Sequence, residues 1–394
     1  MMKYLLLIAL SCCQLLAGGQ AFTAGQTYWS PDGFIEYRCG NLPLIITAPH
    51  GGYHTPDSLP DRSCPGATTV QDANTLELAQ AIDSIYNLHH PCRPHVVISH
   101  LHRRKLDPNR DSSEASCDHP QGMAIWRAFH HFVQAARDSV QLHFGKGLLL
   151  DLHGHAHTIQ RIELGYQLTA DHLRAGDSAI NSSFRVQRSG IRSLVAINQG
   201  QLTHAELLQG EDALGTWLQD AGYPAVPSQQ DTAPHLGEPF FSGGYITDRH
   251  GSKHGGTVDA IQLEHYRIGI RDNAANRARY ADTLRLLTNR FLATHYFGNT
   301  AFLTACGASP NSITKKASQS SWFRLYPNPG SAFYVDTDAS GELQIFDLQG
   351  KCHYKQALVA GKQLIAPSLA PGIYLLLLQS PGQTSGWLRW MNLQ

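Results

Sequence analysis

The sequence predicts an α/β protein with a mostly parallel sheet, followed by a small C-terminal β-sandwich, and three observations carry that reading. Leu42 to Ile46, Leu148 to Leu150 and Val258 to Leu263 are nearly continuous apolar runs, as parallel strands buried on both faces require. Between the first two runs, strand-like and helix-like segments alternate as β-α-β-α-β, which implies right-handed crossovers and one parallel sheet. Beyond a polar stretch rich in small residues, short alternating runs are separated by Asn328-Pro329-Gly330, Gln349-Gly350-Lys351 and Ala370-Pro371-Gly372, the pattern of a small antiparallel unit.

Met1-Met2-Lys3, the apolar stretch Tyr4 to Leu16 and Gly19-Gln20-Ala21 read as a secretory signal peptide over residues 1–21. Processing at Cys12, as in a lipoprotein, ranks second because the apolar region before it is short. No run here or later is long enough to span a membrane. Residues 22–306 then form one large domain. Its first strand ends at His50, a helix covers about Asp72 to Ile85, and a strand covers Val96 to Ser99. A second helix runs from about Gly122 to Val140, where Ile125, Trp126, Phe129, Phe132, Val133, Ala136 and Val140 recur at three-to-four spacing and make one docking face. A strand enters Asp151, helix-like pieces cover Ala205 to Leu218, a strand leads to Glu264, and a helix from Asn273 to about Thr294 closes the domain. Residues 307–320 are the linker, and residues 321–394 the β-sandwich.

Lys plus Arg and Asp plus Glu each number 31, so bulk charge offers no basis for binding nucleic acid. The exported chain carries Cys39, Cys64, Cys92, Cys117, Cys306 and Cys352; one or two disulfides among the first four are expected, with the pairing left open. No CxxC pair is present, so a thiolate zinc site is not expected.

Three strand ends concentrate chemistry: Pro49-His50-Gly51-Gly52, Asp151-Leu152-His153 and Gln262-Leu263-Glu264. Carboxyl ends of parallel strands share one edge of the sheet, where ligands bind. A catalytic zinc takes three nitrogen or oxygen ligands and keeps one position open. His50 and His153 are the first two candidates, the glycines after His50 letting backbone approach a ligand. Asp72 is the third, although its place at a helix start also suits an N-cap. Glu77 and His155 rank below it, and His157 and His250 are further substitutes. Asp151 is placed to orient His153 from behind, and Glu264 is the candidate general base; an ion pair with Arg267 or Arg271 is the structural alternative. In Arg103-Arg104-Lys105-Leu106-Asp107-Pro108-Asn109-Arg110, Arg103 and Arg110 are candidates to hold an acidic substrate and polarise its amide, with Asn109 beside them and Asp107 fixing an arginine. Phe241 to Gly251 reads as a mobile glycine-rich flap that brings Arg249 and His250 to the site.

Together these pieces, with Gly243-Gly244-Tyr245-Ile246-Thr247 and His250-Gly251, are collinear from about residue 40 to 295 and resemble the N-formylglutamate amidohydrolase family. The resemblance implies a phosphorylase/hydrolase-like three-layer α/β/α fold, zinc as cofactor and cleavage of a small-molecule or peptide-like amide. Zinc carboxypeptidases and N-acetylmuramoyl-L-alanine amidases share the order of His, acid, His and Glu and form the alternative; a surface binding module that has lost its metal is the non-enzymatic one. A serine esterase is set aside because no GxSxG elbow accompanies His50-Gly51-Gly52. The tail, through Leu325-Tyr326-Pro327-Asn328-Pro329, Phe346 to Lys351 and Leu369 to Tyr374, resembles the C-terminal sorting domain of type IX secretion in Bacteroidetes-type bacteria. That implies the type IX machinery as partner and a secreted or surface location.

Overall fold

The structure is a computed structural model that describes residues 22–198, 201–304, 323–326, 333–337, 339–347, 351–370, 372–379 and 386–392. The signal-peptide segment 1–21, Cys12 and the linker 307–320 lie outside the described residues. The chain divides into two compact units, Met1–Pro310 and Asn311–Gln394.

Eight strands of the first unit form one sheet: β1 (Thr27–Trp29), β2 (Ile35–Arg38), β3 (Leu44–Ala48), β4 (His95–Ser99), β5 (Gly147–Gly154), β6 (Ile162–Gly165), β7 (Ala225–Val226) and β8 (Val258–His265), in the order β1-β2-β4-β3-β5-β8-β6-β7. The central strands β4, β3, β5 and β8 are parallel, as their apolar runs require. The sheet is mostly parallel, as expected, with β6 and β7 also parallel to each other, and its margins make it mixed, since β1, β2 and β6 join antiparallel. For β6 the cause is chain length: loop 155–161 is too short for the crossover that parallel pairing needs, of about a dozen residues or more.

The period of two along each central strand divides the core into two faces. Leu44, Ile46, Leu148, Leu150, Ile261 and Leu263 pack with Leu78, Ala79 and Ile82 of α1 (Thr75–His89), together with helical residues near the C-terminal end of the unit. Ile45, Val97, Leu149 and Ala260 turn the other way, onto Ile125, Phe129, Val133 and Ala136 of α2 (Pro120–Phe144). Helices therefore cover both faces, giving three layers. Two further helices matter below, α3 (Tyr245–His250) and α4 (Ala274–Phe291). The helix-like pieces expected through Ala205 to Leu218 are two short helices, His204–Gln209 and Leu214–Asp220, with Gly210 extended between them.

Cys64 and Cys117 form a disulfide, and Cys39 is a free buried thiol. Cys92 is also disulfide-bonded, so its partner is none of these three. Among the described residues no helix is long and apolar enough to cross a membrane.

Buried Asp259 on β8 supplies a stability test. Its carboxylate accepts hydrogen bonds from the Ser193 and Leu194 backbone N–H groups at 3.1 and 3.2 Å and from the Tyr296 hydroxyl at 2.8 Å. Burial nevertheless pushes it from an ordinary 3.8 up to about 7. A folded-state value above the unfolded one favours folding below about pH 4, and that contribution is lost as pH rises through about 7. Relative to wild type, Asp259→Asn should therefore become progressively more stable across this window, by at most about 1.4 kcal/mol per pH unit. Parallel unfolding curves at pH 4.5 and 7.5, with no change in the difference between the two proteins, would refute it.

The second unit is a sandwich of two antiparallel sheets, one of β9 (Phe323–Tyr326), β10 (Phe333–Thr337) and β13 (Gly361–Ile365), the other of β11 (Gly341–Phe346), β12 (Cys352–Leu358), β14 (Gly372–Gln379) and β15 (Gly386–Asn392). Phe333, Val335 and Ile365 meet Leu343, Ile345, Leu376 and Leu378 between the sheets.

Candidate metal centre

Strands β3, β5 and β8 stop along one edge, and the residues at their ends converge. His50 follows β3, His153 is near the end of β5, and Glu264 is in register with His153 on β8. Asp72 reaches the same place from the loop before α1. It does not cap that helix: Asn74 holds the cap position in a left-handed conformation, and the Asp72 side chain is left free to turn inward. His50, Asp72 and His153 are all buried and present ligand atoms to one another. The Asp72 Oδ2 atom lies 3.2 Å from His50 Nδ1 and 3.1 Å from His153 Nδ1, and also accepts the Gly154 N–H at 3.2 Å.

The outer nitrogens give this arrangement its meaning. His50 Nε2 is 2.6 Å from Asp107 Oδ1, and His153 Nε2 is 2.9 Å from Asp151 Oδ2. A carboxylate only accepts, so each outer nitrogen carries a proton and, in a neutral ring, each Nδ1 lone pair faces Asp72. Three acceptors then point at one spot, the donor set of two imidazoles and a carboxylate that suits zinc, with outer carboxylates fixing both rings. Without a cation the conflict is met by protonation. Burial would lower His153, but Asp151 and Asp72 hold it well above the usual imidazole range. Burial would raise Asp72 and Asp107, but the facing histidines, with Arg103 and Arg62 at Asp107, hold both low. Thr47 on β3 supports the frame by donating to Asp151 at 2.6 Å.

Glu264 is buried beside this group. Gln262 Nε2 donates to its Oε1 atom at 2.9 Å, and among the described residues it has no ion pair with Arg267 or Arg271. Arg271 is instead spent on the carbonyls of Ala73, His155 and His265, which tie together the loops around the site. Burial pushes Glu264 up to about 8; His153 opposes the shift, and Asp72 and Glu163 add to it.

Other candidate residues take different places. Arg103 is engaged by both Asp107 (3.0 Å) and Asp72 (3.4 Å), so it clamps these two carboxylates. Asp107 therefore does more than hold an arginine: it orients His50. Asn109 places Nδ2 3.3 Å from His153 Nε2 and accepts the Ile246 N–H at 2.8 Å. Gly244 packs on Asn109, where a Cβ would come within 2.2 Å of Nδ2, and Gln167 donates to the Gly244 carbonyl at 2.7 Å. The Phe241 to Gly251 segment is thus tied to the site, in place of the free flap expected. Its helix α3 does not bring His250 to the group, because His250 Nε2 pairs with His130 Nδ1 at 2.8 Å in a buried stack. Arg249 lies exposed over the Trp126 ring at 5.2 Å, and Trp126 donates to the Arg110 carbonyl at 2.9 Å. Arg110 itself reaches Glu114 at 3.7 Å. Glu77, in the first turn of α1, is outside the group, and His155 belongs to a separate cluster with His157 and Glu163. Gly51 and Gly52 allow close packing, since a Cβ would fall 2.2 Å from the Leu76 N atom or from the His100 carbonyl carbon.

Three further side chains around the site carried little or no sequence signal of their roles. Gln262 was visible only as part of the strand end before Glu264, Arg62 lay in an unparsed loop, and Glu163 stood only among the polar groups that follow His153. Glu163 becomes important because β6 sets it in register opposite Glu264.

None of the curated proteins matches this sequence. Among solved structures the chain is similar to N-formylglutamate amidohydrolase from Ralstonia eutropha JMP134, at 14% identity over 67% of this chain and 99% of that one, with a TM-score of 0.41. It is similar to a gene product of Agrobacterium tumefaciens at 11% identity over 66% and 95% of the two chains, TM-score 0.39. It is also similar to succinylglutamate desuccinylase from Chromobacterium violaceum at 15% identity over 68% and 71%, TM-score 0.30. Residues 324–386 match the family described as the secretion system C-terminal sorting domain, so the β-sandwich that ends this chain is a sorting domain of that family.

Proposed function

We propose that the protein is an exported zinc-dependent amidohydrolase that cleaves the amide of an N-acyl amino acid or a peptide-like substrate. One observation carries the reading: the Nδ1 atoms of two buried histidines converge on one oxygen of Asp72 while Asp107 and Asp151 occupy their outer nitrogens. His50, Asp72 and His153 would hold the metal, and the family resemblance of the motifs agrees. When bound, zinc supplies Lewis-acid polarisation of a carbonyl and makes water acidic enough to attack near neutral pH.

The chain's own residues do the rest. Glu264, buried beside the group, would accept the proton of the attacking water and return it to the leaving nitrogen. Asp107 and Asp151 hold the two imidazoles in one tautomer, and Arg103 holds Asp72 and Asp107 in place. Arg110 and Arg249, linked through Trp126, offer the charge for an anionic end of the substrate. The sorting domain supports a secreted or cell-surface location and handling by the type IX machinery.

The test is zinc analysis of the purified protein together with a panel of N-acyl amino acids, dipeptides and muropeptides. Tightly held zinc and turnover of N-acyl amino acids are expected. Turnover of muropeptides alone would move the activity to a peptidoglycan amidase or carboxypeptidase, and a metal-free inert protein would leave a binding module.

A further inference from the structure

We propose that His155, His157 and Glu163 form a second divalent-metal site, on the far side of Glu264 from the first. The three residues offer ligand atoms that all lie within 4.8 Å of one another. Glu163 is fully buried, its Oε1 atom is 2.8 Å from His157 Nδ1, and His157 is the one ion-pair partner it has among the described residues.

The surroundings repeat the logic of the first centre. The outer nitrogen of His155, Nε2, is 2.8 Å from the Arg161 carbonyl, so it carries the proton and leaves the Nδ1 lone pair for the cluster. The second oxygen of Glu163 accepts the Phe241 N–H at 2.8 Å, which leaves Oε1 facing inward. The His157 ring is set by stacking on Phe241, with centroids 4.8 Å apart and planes at 13°. A backbone carbonyl behind one ligating imidazole and an amide N–H behind the carboxylate are the outer contacts by which proteins aim metal ligands. Metal uptake would displace the proton between His157 and Glu163, and exchange the 3.1 Å bond that His155 Nδ1 takes from the His157 N–H.

Charge favours the same occupant. Glu163 and Glu264 are neighbours in register on β6 and β8, so two buried carboxyl groups stand side by side and a cation would offset the charge they can carry. The nearby Arg161 guanidinium does not compensate them, because it is paired with Asp231 and Glu238. Two imidazoles and one carboxylate suit a zinc-type ion and leave a coordination position for an anionic oxygen. His153 and Glu163 lie on strands two places apart, about 10 Å. That backbone separation, with Glu264 on the strand between, is the basis for treating the second site as one that binds its ion separately.

The experiment is zinc titration of the full-length, chelator-stripped protein at buffered free zinc, with bound metal counted and folding checked by circular dichroism. Two equivalents are expected for wild type, with one lost in His157→Ala and in the near-isosteric Glu163→Gln, and a different one lost in His153→Ala. A wild-type stoichiometry of one that survives in both His157→Ala and Glu163→Gln would overturn the second site. Loss in His157→Ala and Glu163→Gln with none in His153→Ala would instead remove the first centre and keep the second.

Discussion

Glu264→Gln is expected to lower turnover by about 10²–10⁴-fold, the usual worth of a general base, while zinc content stays at the wild-type level. The substitution preserves shape, and its amide oxygen can still accept the Gln262 Nε2 bond that now goes to Oε1. It removes only proton acceptance. Glu264 is not one of the residues that would hold the ion, so activity and metal content should separate. Wild-type turnover in the variant would eliminate Glu264 as base, and joint loss of zinc and activity would make it a ligand.

Asp72→Asn should weaken zinc binding at the first centre by more than the roughly 10–100-fold that loss of an outer carboxylate costs, and abolish activity with it. Asp72 is the sole anion among the three groups, and its Oδ2 atom faces both Nδ1 atoms. Asn would offer the same shape without the charge. Asp151→Asn and Asp107→Asn should fall within the 10–100-fold range, because each still leaves His50, Asp72 and His153 in place. Competition for zinc against a chelator of known affinity orders the variants. An Asp72→Asn protein that holds zinc as tightly as Asp151→Asn would deny Asp72 a place in the coordination sphere.

How the residues were distributed between sequence and fold follows from the range of the forces involved. His50, His153 and Glu264 stood out because each follows an apolar strand, and strand periodicity is a local property. Asp72 was ambiguous between ligand and helix cap; the left-handed Asn74 took the cap and settled where its side chain turns. The role of Asp107 behind His50 could not be read from a basic loop, because the two residues are 57 positions apart. His250 stood as a substitute ligand in a glycine-rich segment, yet its partner is His130 on α2.

The sequence alone determined the buried parallel centre of the sheet, the helices that cover it, the antiparallel tail and the histidines at strand ends, since apolar period and turn residues act over a few neighbours. Only the tertiary structure decided that β6 returns antiparallel and sets Glu163 against Glu264, that the Asp72 side chain turns to the two histidines in place of capping α1, and that Asp107 stands behind His50. Those contacts join segments tens to more than a hundred residues apart, and strand register and loop length bring them within a few ångströms.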